Sequence, residues 1–478
     1  MFKDIKILGK ESVIYGISTV FGRLLNILLI PLYTYYLSPD AYGIVATVFS
    51  FIAFLNVIYG LGLNQGYMRF FKEEKSISLT ISIVFFSSFI LSFLLILFSK
   101  PISWLFQIGV ENYKLIIYSA VILYFDSLAI IPLTDLRMKH RAYVFVFIKV
   151  FTIIFNIILN FLFLKYLKMD IDGIFVANMI SSFSQMIFIF RYFNYVSFII
   201  DKPLLKEIFS YSLPYIPTSL SSVIIQLIDR PIMMMLLSSY MVGIYQANFR
   251  LSIFINLIIS MFDFAWRPFV IERIEKENAK QIFKKVLEYF VAIVLFIWLF
   301  LSLFLEDMVK INIFGVYFIN PNYWSGLGIV PFIMLAYFLN GLYINFMIGT
   351  MIKKKTKYIM IANIIAAILS ISFNFILIPQ FKIYGAAYSV LISYLFLAIF
   401  MYFVNRKIYY IDYDIKKVSL LFMFTILFYL TKYLIISLNP CVYQQYKYFL
   451  VMIYPFFLFA FYFSKEEKNK ILNIIRKK

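Results

Sequence analysis

The sequence predicts an all-α polytopic membrane protein of about 14 transmembrane helices, arranged as two parallel six-helix lobes followed by two more helices at the C-terminal end. Three observations predict it. Of 478 residues, 63% are apolar, far above the roughly 45–50% of soluble domains, and apolar runs long enough to span a bilayer recur from end to end. Lysines and arginines fall in alternate loops. Residues 200 positions apart match at the opening of each half.

Taken in order, the candidate spans lie near 12–36, 42–68, 77–98, 113–134, 142–164, 173–193, 208–237, 241–266, 284–305, 325–350, 357–378, 384–404, 418–437 and 446–463. An outer-membrane barrel would show short alternating segments instead. The basic stretch MFKDIKILGK leads into the first span without a small-residue cleavage site, so a retained helix is expected rather than a signal peptide. With the N-terminus placed in the cytoplasm, the inward segments hold 32 of the 44 basic residues, the outward loops hold seven, and five lie inside spans: Arg23, Lys149, Arg230, Arg250 and Lys432. The positive-inside rule therefore puts both termini in the cytoplasm of a multi-pass protein of the cell membrane. The same distribution accounts for most of the net charge of +20, so no nucleic-acid partner is expected.

The repeat sets the organisation. Between 12 and 58 the offset of 200 matches Pro31 with Pro231, Leu37–Ser38 with Leu237–Ser238, Gly43 with Gly243 and Asn56 with Asn256; an offset of 214 matches Asn160 with Asn374. Pro31 and Pro231 are placed to kink their helices. A six-helix unit is even-numbered, so both copies share one orientation. The expected units are 1–200, 201–410 and 411–478, with a binding site between the first two near the membrane midplane.

The polar residues inside spans are the candidates for function. Ser12, Gly16, Thr19, Arg23, Asn26 and Tyr33 form one stripe of the first span. A stripe of small residues from Gly43 to Gly60 on the second reads as close helix packing. Lys149, Asn156 and Asn160 share a face of the fifth, as do Asn363, Ser370 and Asn374 of the eleventh. Arg23 lies too deep to snorkel, and a buried charge costs several kcal/mol, so it must face protein or water. It either binds an anion or joins a structural ion pair. Asp229 and Arg250 lie at similar depth in one hairpin and are expected to pair, while Arg230, turned roughly 100° away, faces the cavity or snorkels. Lys149 also snorkels or lines the cavity. Asp126 is read as a partner of Arg23 or Lys149, or as a site of Na+ or H+ coupling. Asp263 lies near a cytoplasmic end, and Lys432 is read as snorkelling.

Several chemistries are excluded or disfavoured. With one histidine and one cysteine most catalytic triads and all cysteine metal clusters are out. There is no phosphate-binding P-loop, dinucleotide turn or HExxH motif. No enzymatic activity and no cofactor are expected.

The run LLIPLYTYYLSPDAYGIVATVFSFIAFLNVIYGLGLNQGYMRFF, residues 28–71, resembles the opening of the polysaccharide-export flippases of the multidrug/oligosaccharidyl-lipid/polysaccharide (MOP) superfamily. The similarity rests on Leu37, Ser38, Pro39, Tyr42 and Gly43 at the first turn and on Gly60, Leu61, Gly62 and Arg69 at the end of the second helix. The resemblance implies two lobes around a V-shaped cationic cavity, with arginines at Arg23 and at Arg230 or Arg250. It implies a flippase that moves polyprenyl-diphosphate-linked oligosaccharides, of O-antigen or capsule type, from the cytoplasmic to the outer leaflet by alternating access. On that reading Arg23, Arg230 and Lys149 attract the diphosphate. Asn26, Asn156, Asn160 and Asn374 meet sugar hydroxyls, and the lipid tail stays in the bilayer beside the last two helices. Partners would be the lipid-linked glycan, membrane lipids and a polysaccharide polymerase or export machinery. The rival readings are a cation-coupled multidrug antiporter of the same superfamily, whose cavities are usually acidic, and a membrane glycan polymerase or ligase, which would carry a larger outer loop.

Overall fold

The computed structural model describes residues 20–197, 201–313, 315–462 and 468. A helix stands at each of the fourteen predicted positions. We label them α1 Val20–Tyr36, α2 Pro39–Arg69, α3 Glu74–Leu97, α4 Val110–Met138, α5 Ala142–Tyr166, α6 Asp170–Tyr195, α7 Lys202–Leu227, α8 Ser239–Arg273, α9 Ala279–Leu303, α10 Pro321–Ile352, α11 Lys357–Phe381, α12 Ile383–Ile408, α13 Ile415–Ser437 and α14 Pro440–Phe457. Twelve of them, α2 to α13, are long and apolar enough to cross a membrane. The chain is an all-α multi-pass membrane protein. Ser12, Gly16 and Thr19 of the first predicted stripe lie outside the described residues.

Local chemistry explains the element ends. Ser38 caps α2 by accepting from the Ala41 N–H at 3.2 Å, with Pro39 in the first turn, and Ser238 caps α8 by accepting from the Met241 N–H. Both repeat prolines do what their position predicts. The helix breaks into a turn at Leu28 and again at Ile228, three residues before Pro31 and Pro231, because proline supplies no N–H and crowds the preceding turn. After Ile228 the helix resumes as Asp229–Leu236. Inside α2, Leu61 and Gly62 take left-handed backbone, with φ of 47° and 66°, and the helix restarts at Leu63.

Where α2 and α8 cross, residues 200 apart meet. A Cβ on Gly43 would stand 1.9 Å from the Ser239 carbonyl oxygen, and one on Gly243 would stand 1.9 Å from that of Pro39. Only glycine fits at either place. Ser239 Oγ also donates to Asp40 Oδ1 at 2.5 Å. At the opposite end of α2, a Cβ on Gly62 would lie 2.5 Å from the Ser212 carbonyl oxygen of α7, and Lys75 pairs with Asp201 at 3.1 Å. That contact, with the Leu204 N–H, holds the Asp201 carboxyl below the usual carboxylate range.

The last two helices are fastened to α9. Glu288, buried in α9, accepts from Lys417 of α13 at 2.8 Å and from Lys285 at 3.1 Å. At the far end Lys432 reaches Glu306 at 3.4 Å and Lys447 reaches Asp307 at 2.5 Å. Lys432 therefore does not snorkel as its depth suggested. It is buried against an acidic turn between α9 and α10.

Candidate functional site

One face of α8 carries Asn256, Ser260, Asp263 and Arg267, spaced by four, three and four residues, which is one helical stripe. Arg23 of α1 donates from Nη1 to Ser260 Oγ across the two halves of the chain. Among the described residues it has no carboxylate partner. Tyr337 of α10 lies within electrostatic reach of Arg23 and is hydrogen-bonded to Asn256. Asn26, one turn further along α1, is exposed.

Arg250 lies in a 3-10 turn in the middle of α8. Its guanidinium sits 5.3 Å from the ring centre of Tyr33 on α1 and 5.6 Å from that of Tyr42 on α2, so its charge rests on aromatic faces. Its Nη1 is buried without a hydrogen-bond partner, and no carboxylate pairs with it among the described residues. The rings are themselves held. Tyr33 OH donates to Asn160 Oδ1 at 2.9 Å, Asn160 donates to the Asn156 carbonyl at 2.8 Å, and Tyr42 packs edge-on against both Tyr33 and Tyr323.

The expected Asp229–Arg250 pair is absent. Asp229 is closed by its chain neighbour instead. Arg230 Nη1 donates to Asp229 Oδ1 at 2.6 Å and to the Gln226 carbonyl at 2.6 Å, and Nε donates to Gln246 Oε1 at 3.0 Å. Tyr245 OH takes the other Asp229 oxygen, and Phe249 lies 4.0 Å beneath the guanidinium. The long arginine side chain curls back over the 100° that separates consecutive residues on a helix. Arg230 and Asp229 are fully buried and mutually neutralised.

Two cavities flank this seam. The first-lobe cavity has a volume of about 290 Å³, and Asp126, Lys149, Asn56, Arg137 and Gln185 line it. Lys149 thus points into the lobe rather than out to the interface. It is the cation that acts on Asp126, which Ser182 and Gln185 also hydrogen-bond. Arg23 is not the partner of Asp126. The second-lobe chamber is larger, about 450 Å³, and lies among α7, α8, α10, α11 and α12. Asp263 and Arg267 on its wall form a two-pronged pair at 2.8 and 2.9 Å. An apolar alcove of about 230 Å³ adjoins it and shares Arg267, Ile344, Met347 and Met351. Lys149 and Asn363 stand at the 214 offset, one in each cavity.

Asn374 matches Asn160 in sequence and in its bond to the carbonyl four residues back, but not at its side-chain oxygen. Its amide donates to the Ser370 carbonyl at 2.7 Å, while its Oδ1 is buried without a partner. The residue 200 after Tyr33 is Met233, which has no hydroxyl to give. The sequence reading missed Ser260 at the seam, Arg267 on the second-lobe chamber wall, and Tyr42 at the seam. The four-three-four spacing on α8 was the available signal for the first two.

The candidate cations therefore sort into two groups. Arg230, Arg267 and Lys149 share their surroundings with a carboxylate. Arg23 and Arg250 lie between the lobes and do not.

Comparison with known proteins agrees with this architecture. Residues 8–270, more than half of the chain, match the family model of the polysaccharide biosynthesis proteins. Among curated proteins none matches the sequence. Among solved structures, the lipid II flippase MurJ in an inward closed conformation superimposes with a TM-score of 0.72 at 18% identity, covering 93% of this chain and 99% of that one. A multidrug resistance MATE family transporter in an inward-facing conformation gives 0.61 at 18% identity, over 82% and 94%. A MOP superfamily transporter from Pyrococcus furiosus, described as having a binding pocket of reversed polarity, gives 0.57 at 17% identity, over 84% and 97%. These likenesses show a common fold, that of MOP transporters and flippases. The chain belongs to the polysaccharide biosynthesis protein family.

Proposed function

We propose that this protein moves polyprenyl-diphosphate-linked oligosaccharides, such as O-antigen or capsule repeat units, from the cytoplasmic to the outer leaflet of the cell membrane by alternating access. One observation carries the reading: the seam between the halves holds two arginines, Arg23 and Arg250, with no carboxylate partner among the described residues. A half-buried cation without a counter-charge is under-compensated, and an anionic cargo supplies the missing charge. Ser260 gives Arg23 only a neutral hydroxyl to bond. A diphosphate oxygen makes a charge-assisted bond of roughly twice the strength, so cargo displaces Ser260 and loosens a contact between the lobes. An inside-negative potential then favours outward movement of the anion by about 2.3 kcal/mol per charge per 100 mV. The polymerase that consumes the glycan would receive it on the outer face.

The test is translocation in liposomes. A fluorescent polyprenyl-diphosphate oligosaccharide is followed by its exposure to an impermeant quencher. Wild-type protein is expected to move it faster than protein-free liposomes, and Arg23→Ala to lose at least ten-fold. Undiminished transfer in Arg23→Ala would leave that arginine a purely structural role.

A second reading, a cation-coupled antiporter, draws support from Asp126 in the first-lobe cavity. It predicts efflux of organic cations that depends on a Na+ or H+ gradient and is abolished in Asp126→Asn.

A further inference from the structure

We infer that the second-lobe chamber is a recognition site for uncharged glycosyl units, separate from the arginine seam. The inference rests on the lipid-linked glycan reading. Its ground is the chemistry of the wall. The only carboxylate there among the described residues, Asp263, is closed in both prongs by Arg267, so the described wall presents no net charge to attract a cation or an anion. The rest of its polar lining is amide and hydroxyl. Gln226, Asn340 and Thr218 face the chamber, and their side-chain polar groups have no partner among the described residues. Asn363, by contrast, is spent on Tyr343 OH at 3.0 Å and on the Ile359 carbonyl at 2.8 Å.

Amides and a hydroxyl without protein partners on a neutral, aromatic-edged wall match the alternating donors and acceptors of a sugar ring. An isoprenoid packed over those groups would cover them without supplying a hydrogen-bond partner. A phosphate would find its best donor already occupied. The volume of about 450 Å³ falls within the range of small-molecule sites. Position fits as well. Ser260, which holds Arg23, and Arg267, at the chamber mouth, are seven residues apart on one face of α8, about 10 Å along the axis. A headgroup with its charged linker at Arg23 has its sugars within reach of Asn340 and Gln226, which makes these residues determinants of which glycan is accepted.

The experiment uses the whole protein in nanodiscs and a mixture of three neutral disaccharides, cellobiose, N,N′-diacetylchitobiose and mannobiose, observed by saturation-transfer NMR. Ring protons of at least one sugar are expected to receive saturation. Asn340→Leu and Gln226→Leu are each expected to cut that signal at least five-fold at an unchanged melting temperature. Thr218→Val keeps volume and removes one hydroxyl, so it carries the same test if a leucine variant fails to fold; a loss of two-fold or more is expected. No transfer to any of the three sugars, or transfer undiminished in the folded variants, overturns the inference. The sugar probes carry neither a lipid tail nor a diphosphate, so failure of the flippase reading shows separately, as wild-type protein that does not accelerate translocation.

Discussion

Arg230 and Arg250 illustrate how two like residues at similar depth acquire opposite roles. Arg230 neutralises Asp229 and is bonded at three points. Arg230→Gln leaves a buried carboxylate without its cation, which costs about 3–5 kcal/mol; the expected result is loss of monodisperse protein on size exclusion or a sharply lowered melting temperature. Arg250 leans on two tyrosine rings and keeps one nitrogen free. Arg250→Gln is expected to melt within a few degrees of wild type and to slow translocation in the liposome assay. Position along the helices was legible from the sequence, and it marked Arg23 and Arg250 as charges within apolar helices; both are half-buried. Direction was not legible. Helical periodicity fixes where a Cβ points, whereas an arginine head lies several rotatable bonds away and goes where a carboxylate and a ring await it. The same limit applies to Asn160 and Asn374. Their sequence match was visible, and the difference between Tyr33 and Met233 that separates their bonding lay on another helix.

At the scale of elements, the close crossing of α2 and α8 makes a sharp prediction. Gly43→Val places a branched side chain where even a Cβ meets the Ser239 backbone at 1.9 Å, and backbone cannot rotate aside. The helices must separate. A thiol at 239, introduced as Ser239→Cys, is expected to label several-fold faster with a membrane-impermeant maleimide in the Gly43→Val background than without it. Equal labelling would mean that the crossing opens freely in the wild type. Helix positions were legible to within a few residues because apolar length, serine caps and prolines act locally. The break at Leu61–Gly62 was harder to see, since Leu61 adopts a left-handed conformation that its side chain does not favour. The lysine pairs that bind α13 and α14 to α9 were hidden for a different reason: their acids sit more than 120 residues away in sequence.

For the whole molecule, the contacts at 40 and 239 and at 62 and 212 hold the two halves together near both ends of α2. Alternating access requires the first of these to part. A double substitution, Asp40→Cys with Ser239→Cys, is expected to form a disulfide that arrests translocation, with recovery on reduction; full activity of the oxidised protein would rule out separation at this point. The parallel repeat was legible because proline, glycine and asparagine have positional reasons to recur. The cavities were not, since each forms where four or five helices pack imperfectly and no single segment encodes the space. The crossing itself has a genealogical consequence. Residues 39 and 43 touch 239 and 243, which are their own counterparts, so the contact is self-complementary in the way of a two-fold interface. Two identical copies of a six-helix chain would build the same junction with no new chemistry. The present polypeptide has the geometry of a homodimer whose subunits were later joined end to end and then diverged, one keeping a tyrosine where the other acquired a methionine.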